Sequence, residues 1–416
     1  MRPPTTLINE DGTSITHRDV TLSIPAWRAS LQQLLSEARE ILDGTLLLGL
    51  AGVPCYLPAM LQDDLGDTRP GRSFVTCSRN NLETVDDWLT KQIRSSAKLR
   101  KRFLQAEPDS SSVGYRQSAM NEHLHANQEF LQRLAVLIHM GSGLPARQRE
   151  LVEITWRNEE GPRNLYISHG RVVMITGYHK TQRLVGTKPV ARFLAPAVGE
   201  ILVRYLIFAR PFVRFLGHCK ELPAPRGHVF LDAENQLWQA SRMRDCMGRQ
   251  TKRVLGVPLL FLRYRHMAIA MDRRLLQGIG CKGYGIRQDW HRQRPHANED
   301  KTDDDGDKDG VESQGGEGGH GMLSHAQASH SARIGNAVYG NDMNLISGMT
   351  DVLMAGYSRV SRAWQEFAGL DKKSMGQRHK RRLSRISAER ALPWAHCSVR
   401  NAVGVCPGDP LAGAWP

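Results

Sequence analysis

Five side chains in this sequence are of the types needed to cut and rejoin a phosphodiester. Arg147 stands in Gly143-Leu-Pro-Ala-Arg-Gln-Arg-Glu150-Leu, Lys180 in Thr176-Gly-Tyr-His-Lys-Thr, and Arg265 in Tyr264-Arg-His266-Met-Ala-Ile. His330 precedes Tyr339 by nine positions in Gln327-Ala-Ser-His-Ser-Ala-Arg-Ile-Gly-Asn-Ala-Val-Tyr. Two guanidiniums clamp phosphate oxygens through paired N–H donors, an ammonium protonates a departing oxygen, and a phenol attacks phosphorus. Each motif alone is commonplace, and the reading rests on their occurring together, in this order.

The charge of the chain fits a polyanionic partner. The 416 residues carry a formal charge of +14, and the pI is near 9.7. The distribution strengthens this. Between Glu299 and Glu317 nine acidic residues face two lysines, so that segment subtracts seven and the rest of the chain carries +21. A hydrophobic content of 40% is enough to build two domains with cores, which argues against a mainly unfolded protein. The seven cysteines are odd in number and scattered, with no C-x-x-C pair, against both a disulfide framework and a zinc module. No apolar run reaches the ~18 residues of a membrane span, and no apolar core of a signal peptide follows Met1-Arg-Pro-Pro-Thr. A soluble intracellular protein is expected.

Hydrophobic spacing predicts the elements that must position these groups. Residues 1–112 read as a helical N-terminal DNA-binding region. It has stripes over Trp27, Leu31, Leu34, Leu35, Ala38 and Leu42 and over Leu82, Val85, Leu89 and Ile93, and four Lys or Arg residues lie between Ser95 and Arg102. A long helix is predicted over about Gln117 to Met140, followed by one presenting Arg147 and Glu150 on the same face. Alternation on either side of His169-Gly170 predicts a β-hairpin with Lys180 just past its second strand. Helical spacing returns over Pro196 to Phe208, over Arg242 to Leu255 behind an N-cap expected at Ser241, through the Arg265 segment, and over Val352 to Phe367. The expected class is mainly α with a small β-sheet, α+β.

Residues 289–321 lose all periodicity and read as a disordered acidic and glycine-rich insert. Asp305-Gly-Asp-Lys-Asp309-Gly310 opens like a calcium loop, but Gly316 stands where the bidentate Glu belongs, so no calcium site is expected. Residues 371–416 form a basic tail expected to be poorly ordered. Its Arg378-His-Lys-Arg-Arg-Leu-Ser-Arg run suits either a nuclear-localisation signal or a DNA-backbone arm.

Taken together, the boxes around Arg147, Lys180, Arg265, His330 and Tyr339 resemble those of the tyrosine recombinases, and most nearly the fungal Crypton-type transposon recombinases. The resemblance covers roughly Met120 to Leu370 and implies a catalytic domain over residues 113–370 behind a core-binding-like domain. It also implies a chemistry: Tyr339 attacks the scissile phosphate to give a 3′-phosphotyrosine, Arg147 and Arg265 neutralise the pentavalent transition state, Lys180 protonates the 5′ oxygen, and His330 hydrogen-bonds the phosphate. His266 and Glu150 are auxiliary candidates. No cofactor or metal is implied. The implied partners are double-stranded DNA and further copies of the chain on it, with no membrane, and the implied location is nuclear.

Two features depart from the family pattern. Its second box has His three positions before the arginine, where this chain has Leu262, and the interval from Arg265 to Tyr339 is about twice the length seen in compact members. Leu262 keeps a second reading open, a DNA-binding relic that no longer cuts. A type IB topoisomerase, which uses a similar set, is the third.

Overall fold

A computed structural model describes residues 6–82, 85–106, 113–177, 189–276, 349 and 351–371. All of them belong to one compact unit, Met1–Asp371, while a second unit, Lys372–Pro416, lies outside the described residues together with the basic run of the tail. The class is mainly helical with small antiparallel sheets, as expected. An apolar cluster runs through the unit from Ile15 to Leu370.

The chain opens on strands rather than on the helices expected there. β1 (Thr6–Ile8), β2 (Ser14–His17) and β3 (Val20–Ser23) form an antiparallel meander with Ile15 opposite Leu22. Val20 and Leu22 are buried while Thr21 and Ser23 face solvent, a period of two that three- and four-residue strands display too briefly to stand out. Ser23 then caps α1 (Ile24–Glu40) by accepting the Ala26 N–H at 3.4 Å, with Pro25 in the first turn. The expected stripe of Trp27, Leu31, Leu34, Leu35 and Ala38 faces the core. Between Leu47 and Asp87 the described residues include short 3-10 turns at Pro58–Met60 and Ser78–Asn80, and the far end of the expected stripe, Leu89 and Ile93, lies on α2 (Trp88–Ser95). α3 (Ala97–Phe103) follows, with Ser96 accepting the Leu99 N–H, and a hairpin of β4 (Leu104–Ala106) and β5 (Val113–Tyr115) leads out of it.

α4 (Gln117–Gly141) is the axis of the fold. From Leu134 to Met140 every residue is buried, because α1 and three later helices surround it. Beyond it come α5 (Gln148–Val152) and the sheet of β6 (Leu165–Ser168), β7 (Arg171–Thr176) and β8 (Val190–Phe193), antiparallel throughout. The β6–β7 hairpin turns where the sequence indicated, with φ of 50° at His169 and 69° at Gly170. β8 is a third strand that the hydrophobic pattern does not indicate.

α6 (Pro196–Arg204), α7 (Arg210–Cys219) and α8 (Ala240–Leu255) pack around α4. α8 begins one residue ahead of Ser241, its N-cap position being Gln239, and ends on left-handed Gly256. α9 (Phe261–Met271) carries Arg265 and lies against β1 and β2. α10 (Asp351–Phe367) lies on β8, where Ser361 Oγ accepts the Phe193 N–H at 3.1 Å and Gln365 Nε2 donates to the Phe193 carbonyl at 2.6 Å. Among the described residues no helix is long and apolar enough to cross a membrane.

Candidate functional site

Arg147 stands at the N-cap position of α5, immediately after Leu144-Pro-Ala. Its backbone N–H donates to Glu150 Oε2 at 2.6 Å, so the Glu150 side chain folds back over the start of its own helix. Glu150 is therefore buried, at 5% exposure, instead of sharing an exposed helix face with Arg147. The same oxygen lies 3.9 Å from Nη2 of Arg192, and both side chains are shut off from water.

Arg265 reaches this place from the opposite side. From the second turn of α9, Nη1 donates to the Pro145 carbonyl at 3.2 Å, two residues before Arg147. The two arginine boxes predicted to meet are thus in contact, although 117 residues lie between them in the chain. Burial pushes the Arg265 guanidinium down to about 10, and repulsion from Arg192 and Arg147 adds to this against the pull of Glu150. It remains cationic at neutral pH. Among the described residues, three guanidiniums are gathered around Glu150, leaving a concentration of positive charge suited to an anion.

Arg192, which no motif in the sequence marks, is the most deeply buried of the three. It sits mid-strand in Val190-Ala-Arg-Phe with no exposed surface, held by Nε to the Leu144 carbonyl at 2.9 Å and by Nη1 to Thr176 Oγ1 at 3.0 Å. The one signal for it in the sequence is an arginine inside an apolar run of four.

Two aromatic groups border the cluster. His139, on α4, is buried with its ring 4.3 Å from that of Phe261, and desolvation followed by Arg265 and Arg192 pushes it down to about 3. It is neutral and does not compete with the arginines for an anion. Tyr357, on α10, is buried in an apolar cluster with Tyr166, Val173 and Phe193. Burial raises its phenol to about 12 against the opposing pull of Arg192, so its oxygen is poorly suited to attack.

His266 follows Arg265 but projects toward the N-terminal sheet. Its ring stacks on His17 of β2, with centroids 5.0 Å apart and planes within 7°. Leu262, at the position where the resembled family has a histidine, is 68% exposed one turn ahead of Arg265. Lys180, His330 and Tyr339 lie outside the described residues, as do the acidic insert and its calcium-like sequence. β7 ends at Thr176, four positions before Lys180 and bonded through its hydroxyl to Arg192. Exposed cations stand at Arg94, Lys98, Arg100 and Lys101 on α2 and α3, and at Arg244, Arg249 and Lys252 on α8.

No protein-family model matches this chain, and no solved structure matches it significantly.

Proposed function

We propose that this protein breaks and rejoins DNA strands through a 3′-phosphotyrosine, as a site-specific recombinase or transposase of mobile DNA, with Arg147 and Arg265 as the phosphate clamp. The observation that carries the reading is the contact of Arg265 Nη1 with the Pro145 carbonyl, which joins two sequence-distant arginine boxes beside one buried carboxylate. A clamp of this kind stabilises charge that develops on the non-bridging oxygens as phosphorus becomes pentavalent.

On this reading Tyr339 supplies the nucleophilic oxygen. The phenol releases its proton to solvent as its oxygen bonds to phosphorus, the P–O5′ bond breaks, Lys180 gives a proton to the departing 5′ oxygen, and His330 donates to the phosphate. The phosphodiester energy is retained in the phosphotyrosine, and attack by a 5′-hydroxyl of another strand reverses each step. Double-stranded DNA is the substrate, bound by several copies of the chain, and the nucleus is the proposed site of action.

The test is a trapped adduct. A pool of nicked suicide duplexes of randomised sequence is incubated with the protein, and covalent protein–DNA species are resolved on a denaturing gel and peptide-mapped. An adduct on Tyr339 that is absent from Tyr339→Phe is the expected result. An adduct that persists in Tyr339→Phe, or that maps to Tyr357, would sink the assignment.

A second reading is favoured by Leu262, an exposed apolar side chain with no proton to exchange where an imidazole belongs in the resembled pattern. It makes the protein a DNA-binding relic. Tight DNA binding without any adduct is its signature.

A further inference from the structure

We infer that Arg192 is a positioning residue of the phosphate clamp: from β8 its single guanidinium fixes the segment that presents Arg147 against the last residue of β7. The inference rests on the clamp reading proposed above for Arg147 and Arg265.

Each nitrogen of the guanidinium addresses a different part of the site. Nε donates to the Leu144 carbonyl at 2.9 Å, fixing the backbone three residues ahead of Arg147. Nη1 donates to Thr176 Oγ1 at 3.0 Å, fixing the last residue of β7. Nη2 lies 3.9 Å from Glu150 Oε2, the oxygen that accepts the Arg147 N–H at 2.6 Å. Only a planar fork satisfies three directions at once; a lysine ammonium at the end of a flexible stem offers charge without the fork.

Stability alone is a weak reason for such a group. Taking a guanidinium and a carboxylate out of water costs about as much as their attraction returns, and well-packed apolar residues in their place are often as stable or more so. What apolar residues lack is the means to fix two polar chain segments in a defined relation. Arg192 does this between segments that meet only through tertiary structure, and its charge adds to the positive field at Arg265. A misplacement of about 1 Å in a clamp of this kind costs on the order of 100-fold in rate, so a device that removes the slack has a catalytic consequence.

Two variants separate positioning from folding. Arg192→Lys keeps the charge that balances Glu150 and removes the fork. The double variant Glu150→Gln/Arg192→Met removes both buried charges. Three properties of the full chain are compared: thermal midpoint, amide hydrogen exchange, and single-turnover adduct formation on the randomised nicked duplexes at saturating protein. Both variants are expected to fold, with the double variant melting no lower than the parent. Exchange should accelerate selectively over Gly143–Val152 and at the end of β7. The adduct rate should fall about 100-fold while duplex affinity stays within about twofold, a split that a merely structural residue does not produce. Parent-like exchange across Gly143–Val152 in both variants overturns the inference whatever the chemistry. So does an adduct rate at the parent level in the double variant. If the parent itself forms no adduct but exchange still accelerates in that segment, the cleavage reading fails while the positioning of Arg147 by Arg192 stands.

Discussion

Arg265 is latched to the chain segment of Arg147 by one hydrogen bond, Nη1 to the Pro145 carbonyl at 3.2 Å. It joins two motifs that stand 118 positions apart in the sequence. Its consequence is that loss of either arginine should be felt at the same phosphate.

Arg147→Ala and Arg265→Ala should each lower the rate of adduct formation about 100-fold, roughly 3 kcal/mol of transition-state stabilisation, with Tyr339 still able to react. The pair removed together should cost less than the product of the single losses, because the two act as a unit. Single-turnover kinetics on a suicide duplex measure this. Strict additivity would mean that the two guanidiniums serve different groups.

Binding to duplex DNA should be dominated by phosphate contacts. The charge of +21 outside the acidic insert and the exposed cations of α2, α3 and α8 lead to this expectation. The logarithm of affinity should fall linearly with the logarithm of salt concentration, each phosphate contact contributing about −0.9 to the slope. Reversing Lys98 and Lys101 to Glu should make the slope shallower if α3 touches the backbone. A flat response to salt in the parent would exclude DNA phosphate as the main determinant.

The acid limb of stability should be set in part by Glu37. Its carboxylate accepts from Arg253 at 2.6 Å and from Arg133 at 2.9 Å, tying α1 to α8 and α4. The Arg253 hydrogen bonds, aided by Gln33 and Arg133 and opposed by burial, hold it down at about 2. A carboxylate depressed in the folded state contributes its stability above the ordinary unfolded value near 4.5 and loses it as pH falls toward 2. The contribution is on the order of 2 kcal/mol once the partial exposure of the pair is allowed for. Denaturant midpoints taken between pH 5 and pH 2.5 should therefore fall less steeply for Glu37→Gln than for the parent.

Close packing at the end of α4 gives a fourth expectation. A Cβ built on Gly141 would lie 2.5 Å from Leu370 Cδ1, so Gly141→Ala should be destabilising by about 1–3 kcal/mol. Leu370→Ala should relieve part of that cost in the double variant. Equal thermal midpoints for Gly141→Ala and the parent would show that Leu370 moves aside freely.

What was legible in the sequence follows from how long each pattern persists. α1, α4 and α10 carry apolar residues at three- and four-residue steps over several turns, and the structure places them within a few residues of the expected bounds. The hairpin announced itself through alternation on both sides of His169-Gly170. β1 to β3 did not, because β1 has no fully buried position and β2 and β3 give only two each before a turn interrupts. β8 was hidden by Arg192, whose charge reads as a surface position when its partners Glu150, Leu144 and Thr176 are remote in sequence. In the same way Arg147 and Arg265 were identifiable from their motifs, whereas the inward turn of Glu150 was not. That turn depends on the capping of α5 and on a cation arriving from another strand.

The Met140 carbonyl oxygen accepts from both Tyr264 Oη at 3.1 Å and Trp364 Nε1 at 2.8 Å. One acceptor thus fastens α9 and α10, and the turn that continues α9 to Leu276 packs on α10. Arg265 and α10 are thereby referred to one point on the central helix, so a change in the pitch of the last turn of α4 would displace both together.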